Sequence, residues 1–217
     1  MFSIAEIIID KLKKMNDMQR EWFYGGIDRL TQEELDDAKK ILEQWDREQK
    51  EKTTLHILKE KEIIQEERNI TCCFSGRREI PIEKEKKIKK LIKKEIKYAI
   101  KNGYKIFLSG FAEGADLLAA ETVIALQKRG YDIVLKAYLP YKKEKVSERV
   151  KKAMEHCQQT WAVQEYNTRG CYHQRNRYMV EHSTLLIAII DQKEGGGTAY
   201  TLNYAQKRDL QIHKIYF

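Results

Sequence analysis

The chain predicts an α/β fold, a parallel sheet flanked by helices, preceded by a helical extension. Three observations carry this. From Ile70 onward, short β-prone runs alternate with longer helical patterns, the order required by a parallel sheet with right-handed crossovers. Leu185 to Ile190 is continuously apolar, as expected of a strand buried on both faces. Residues 1–69, by contrast, show only helical spacing.

In that extension, Ile4, Ile7, Ile8, Leu12 and Met15 recur at helical intervals until Gly25-Gly26 breaks the pattern. Thr31-Gln32-Glu33-Glu34 then reads as a capping box, with Leu30 and Leu35 placed as a hydrophobic staple. Leu35, Ala38, Leu42 and Trp45 continue as a stripe. Residues 46–54 are nearly all polar, either an exposed helix or a linker, before Leu55, Leu58 and Ile63 resume a sparse pattern. So few apolar residues cannot build a large core. The extension is expected to pack on the main domain, on itself or on a second copy, and a homo-oligomer is the expected assembly.

The main domain is expected at residues 70–217. A strand at 70–74 ends in Ser75-Gly76-Arg77-Arg78. Pro81 opens a helix to about residue 102, with Ile88, Leu91, Ile92, Ile96 and Ala99 inward and its lysines, interleaved with Glu83, Glu85 and Glu95, on a solvated face. A strand at 104–108 leads into Ser109-Gly110-Phe111-Ala112-Glu113-Gly114-Ala115-Asp116 and a helix at 117–129. A strand at 133–139 closes on Pro140-Tyr141. There follow a helix at 143–156, a short strand at 160–163 and a helix at 171–182 carrying Arg175 and Asn176. The strand at 185–190 runs into Gly195-Gly196-Gly197-Thr198, a helix at 199–207 and a last strand at 211–217.

Charge is distributed unevenly. Residues 1–69 carry 13 Lys and Arg against 17 Asp and Glu, whereas residues 70–217 carry 28 against 16. The main domain is therefore the basic part and favours anionic partners, nucleic acid or a phosphorylated small molecule. No apolar run approaches the ~18–20 residues of a membrane span. The acids around the short apolar patch of MFSIAEIIIDKLKK do not read as a signal peptide. Four cysteines do not make a disulfide framework, and Cys72-Cys73 on one strand point to opposite faces, so a reducing cytoplasm is expected. Cys157, Cys171 and His173 lack metal-ligand spacing. Neither a metal nor a cofactor is expected.

In such a sheet every βα loop emerges at the carboxyl edge, and ligands settle where strand order reverses. The Ser75–Arg78 segment, the 109–116 loop, Tyr141 and the Gly195–Thr198 turn all belong to that edge. A strand, a glycine turn and a helix start gather free backbone N–H groups at the positive end of a helix dipole, which suits phosphate. The glycines spare the ligand a Cβ. Arg77, Arg78 and Arg175 add guanidinium forks that bind phosphate or ribose. Thr198 and Thr201 are placed to bond phosphate oxygens or to cap their helix. Phe111, Tyr141 and Tyr200 offer faces for a base, core filling being the alternative for Phe111. Asn176 contacts ligand or bonds a neighbouring loop. Asp116 caps its helix or, with Glu113, offers acid–base chemistry. No clear interleaving of aromatic and basic residues marks a track for single-stranded bases.

The runs TCCFSGRR, FLSGFAEGADLLAAE, RNRYMVEHS and GGGTAYTLNYA, in this order and spacing, resemble the SLOG superfamily of Rossmann-like domains, and within it the YpsA-like branch. The resemblance spans about residues 70–217. It implies a Rossmann-like fold and one of three activities: capture of a nucleotide-derived signal such as an ADP-ribose derivative or a cyclic nucleotide, phosphoribohydrolase activity of the LOG type, or single-stranded DNA binding of the DprA type. LOG-type enzymes read PGGxGTxxE with a catalytic glutamate. Aligned on Gly197-Thr198, that position is Thr201, so no catalytic residue is assigned. Branch members read TGHRP where this chain has Ser75-Gly76-Arg77-Arg78-Glu79, so an arginine replaces the histidine. The expectation is a sensor or sequestering sponge for a nucleotide-derived small molecule. The missing acid also suits a virus-encoded sponge for a host immune signal.

Overall fold

Six strands form one parallel sheet: β1 (Thr71–Gly76), β2 (Ile106–Ser109), β3 (Val134–Leu139), β4 (Gln159–Ala162), β5 (Leu185–Ile190) and β6 (Gln211–Tyr216). Their order is β4-β3-β2-β1-β5-β6. The chain steps outward from β1 to β4, then returns to pair β5 with the free side of β1, Cys72 opposite Leu185 and Gly76 opposite Ile189. Strand order thus reverses between β1 and β5. This computed structural model describes residues 10, 12–15, 20, 32–142, 146–191 and 196–217.

Two compact units divide the chain, Met1–Glu62 and Ile63–Phe217. In the first, Leu12 and Leu42 are buried, and Arg20 donates its Nε hydrogen to the Leu12 carbonyl at 2.9 Å. Helix α1 (Gln32–Asn69) is 38 residues long and continuous through residues 46–54, where the sequence left open an exposed helix or a linker. No glycine or proline interrupts it, and side-chain pairs one turn apart support it: Gln44 with Glu48, His56 with Glu60, Gln65 with Asn69. The proposed capping residue Thr31 and the early stripe of Ile4, Ile7 and Ile8 lie outside the described residues.

In the second unit, α2 (Ile82–Lys101), α3 (Ala115–Gln127) and α4 (Glu148–Met154) cover one face of the sheet. Helices α5 (Cys171–Glu181) and α6 (Gly196–Lys207) cover the other. The strand period of two sorts the cores. Cys72, Phe74, Phe107, Leu135, Ile187 and Ile189 pack with Ile88, Ile92 and Ile96 of α2, whereas Cys73, Leu108, Leu186 and Ala188 pack with Met179, Val180 and Ala205. The adjacent cysteines do face opposite ways. The lysines of α2 ride on the outer face, as its apolar spacing requires. Several element ends lie one or two residues from the sequence reading, and two elements differ by more. Helix α4 covers only part of the expected 143–156, and α6 starts at Gly196, so its glycines form its first turn instead of a preceding loop. Among the described residues no helix is long and apolar enough to cross a membrane.

Truncation of a fully buried α2 residue, Ile92→Ala, should cost about 3 kcal/mol of unfolding free energy in urea titrations. An alkaline effect also follows. Burial pushes the Cys72 thiol well above its ordinary 9.0 and that of Cys73 up to about 12. The unfolded chain then releases these protons near 9 while the folded chain keeps them, so this contribution is intact below pH 9 and is lost as pH rises toward 12. The urea midpoint should fall between pH 8 and pH 10, and a Cys72→Ala/Cys73→Ala variant should show a shallower fall.

Candidate functional site

A cavity of about 300 Å³ opens at the carboxyl edge, at the reversal between β1 and β5. Its wall comes from four places in the sequence. The β1 loop contributes Ser75, Gly76, Arg77, Arg78 and Glu79, and the segment before and into α3 contributes Ala112 and Asp116. Helix α5 supplies Tyr172, His173, Arg175 and Asn176, and α6 supplies Gly196, Gly197 and Thr198. Arg77, Asn176 and Thr198 therefore meet in one hollow. Gly195 lies outside the described residues.

Backbone bonds stitch the loops together. The Arg77 N–H donates to the Ile189 carbonyl at 3.3 Å, and the Arg77 carbonyl accepts from the Ala115 N–H at 2.9 Å. The two arginines of this loop have different partners. Arg77 pairs through Nε with Asp191 at 3.0 Å, and the Arg78 guanidinium lies 4.6 Å from the centre of the Tyr172 ring.

Arg175 is the most deeply set cation. Its side chain is 4% exposed and its partner Asp116 is 8% exposed, with Nη1 at 3.7 Å from the carboxylate and 3.4 Å from the Tyr138 carbonyl. Its place beneath the hollow depends on Gly110. A Cβ there would stand 1.4 Å from Nη1 of Arg175 and 2.6 Å from Oδ2 of Asp116. Burial pulls the Arg175 guanidinium below its ordinary value, with the Asp116 charge opposing that shift. Its Nε has no acceptor among the described residues, so a buried donor remains beside the cavity.

The remaining sequence candidates do not line the hollow. The Ser109 hydroxyl donates to the Asp116 carbonyl at 3.0 Å and accepts the Phe111 N–H at 3.2 Å, which shapes the loop. Phe111, with φ of 49°, is buried in the core, so its ring serves packing. Glu113 accepts from Ser147 at 2.6 Å, and Ser147 caps α4. Tyr141 meets the Tyr172 ring edge-on at 6.2 Å, and its hydrogen bond to Tyr172 raises its hydroxyl above the ordinary range. Thr201 donates to the Gly197 carbonyl and accepts from Asn176 Nδ2, both at 2.8 Å, so Asn176 bonds a helix and not a loop. The sequence reading passed over Tyr172 and weighed His173 only as a metal ligand. Helical spacing is the signal that finds them, because Tyr172 lies three and four residues before Arg175 and Asn176.

The wall carries three arginines against two carboxylates, Glu79 and Asp116. It combines a net positive hollow, a helix N-terminus and a buried guanidinium, a set of groups chemically suited to an oxyanion. The fit of Arg175 over Gly110 is directly testable. Gly110→Ala should destabilise the fold by about 3 kcal/mol. In an Arg175→Ala background the same change should cost much less, and a double-mutant cycle in urea reads the difference.

Comparison with known proteins gives a family. No curated protein matches the chain. Among solved structures, DNA processing protein A from Helicobacter pylori, reported for a unique single-stranded DNA binding mode, is 20% identical with a TM-score of 0.49. The match covers 67% of this chain and 64% of that protein, so the chain spans less than two thirds of its length. The family model YpsA, described as the YspA SLOG family, matches residues 80–217. The chain belongs to that SLOG family.

Proposed function

We propose that this protein binds a phosphorylated, nucleotide-derived small molecule and holds it without rapid turnover, as a sensor or a sequestering protein. One observation carries the reading. Gly197 has no positive φ, and among the described residues nothing lies within 4 Å of the place a Cβ would take. Neither backbone conformation nor packing requires glycine there, and glycine in a helix costs about 0.5–1 kcal/mol relative to alanine. A bare residue at this point leaves the first N–H groups of α6 open to the hollow, facing Arg78 and Arg175. Membership of a SLOG family supports a nucleotide as the guest.

The chemistry of the wall favours holding over cleaving. Thr201 stands where LOG-type hydrolases carry glutamate, and its hydroxyl is committed to Gly197 and Asn176. Among the described residues the one buried carboxylate, Asp116, is committed to an ion pair with Arg175. The same reading gives α1, with Leu55, Leu58, Ile63 and Ile64 exposed, the role of gathering a second copy.

Two variants test the site. Gly197→Val fills open space in a helix, and Arg78→Ala removes an exposed side chain, so both should melt like the parent. Each should weaken nucleotide binding by calorimetry about tenfold or more, roughly 1.4 kcal/mol. Heat-denatured complex should release the nucleotide intact. Unchanged affinity in both variants, or release of free base and ribose phosphate, would contradict the proposal.

A further inference from the structure

Beside the cavity, on the α5–α6 side, the wall residue His173 forms with Tyr200 an aromatic pair that the anion site leaves unused. His173, exposed and part of the cavity wall, lies 4.3 Å ring centre to ring centre from Tyr200, which is 38% exposed. Tyr200 is three residues after Gly197, on the same side of α6. Helical side chains lean toward the N-terminus, so the Tyr200 ring leans toward the bare glycine turn. A phosphate on that turn therefore has an aromatic surface about one helical turn away.

The other aromatic rings nearby are occupied. Tyr172 has the Arg78 guanidinium over it and Tyr141 against its edge. Tyr204 is parallel to Tyr200 at 6.5 Å, but Arg177 and Arg208 lie 5.1 and 5.3 Å from its ring centre, and its hydroxyl donates to Glu181.

We propose that Tyr200 with His173 is the seat of a planar base joined to the phosphate in the cavity, so that the ligand class is a nucleotide and not a plain sugar phosphate. This inference rests on the anion site proposed above. Because Tyr204 is already flanked by cations, the seat takes one base and does not continue as a track for single-stranded nucleic acid.

Calorimetry with ribose 5-phosphate, AMP and a 5′-phosphorylated pentanucleotide tests it at fixed salt. Stacking a base on an aromatic side chain is worth roughly ten- to a hundredfold in affinity. AMP should bind tighter than ribose 5-phosphate by about that factor. Tyr200→Ala should remove the advantage and leave ribose 5-phosphate binding unchanged, and Tyr200→Phe should keep it. Equal binding of both ligands by the parent, or equal weakening of both by Tyr200→Ala, would overturn the base seat while the anion site stands. Failure of the parent to bind either ligand would overturn both. A pentanucleotide that binds more than tenfold tighter than AMP, with the gain lost in Tyr204→Ala, would overturn the single-base limit.

Discussion

The ion pair of Arg175 with Asp116, fitted over the bare Cα of Gly110, is the contact on which the site depends. It joins α5 to the first turn of α3, and through the Tyr138 carbonyl it also reaches β3. A buried charge must be paired, and breaking such a pair costs far more than its formation gains. The requirement fixes three residue choices at once: a cation at 175, an acid at 116 and no side chain at 110. Once these are set, a guanidinium stands at the floor of a hollow whose other walls are loop backbone and a helix N-terminus. The proposed binding chemistry and the packing therefore share one arrangement.

Parallel topology does the remaining positioning. Because β5 returns to the free side of β1, the Ser75–Glu79 loop and the start of α6 face each other across the reversal, and α5 closes the hollow from one side. No residue here is unusual in itself. Convergence of segments about a hundred residues apart brings two arginines, the glycines of α6 and a buried ion pair to one hollow, the proposed anion site.

Much of this was legible in the sequence. The short apolar strand runs, the apolar stripe of α2 and the glycines that open α6 each have a local signature, and topology rules bring their loops to one edge. Ten of the residues selected from sequence line the cavity. What was not legible depends on partners distant in the chain. Nothing local tells that Phe111 turns into the core with a positive φ, that Glu113 is taken by Ser147, or that Arg175 is buried and not exposed. Tyr200 was named as a face for a base, but its pairing with His173 escaped for the same reason. The two residues sit on two helices about 27 residues apart, so no single stretch of sequence shows that they meet. The continuity of α1 had a different cause, since a nearly all-polar stretch fits a helix and a linker equally well until its one-turn pairs are seen.

The central claim is that one hollow at the β1–β5 reversal holds a phosphate against the first turn of α6. An amide-resolved NMR titration with AMP tests this most directly. The claim predicts that the largest and saturable shifts fall on the backbone N–H groups of Gly196, Gly197 and Thr198, with the side-chain signals of Arg78 and Arg175 moving along the same binding curve. Shifts confined to the lysine face of α2, or no saturable change in the α6 amides, would contradict it.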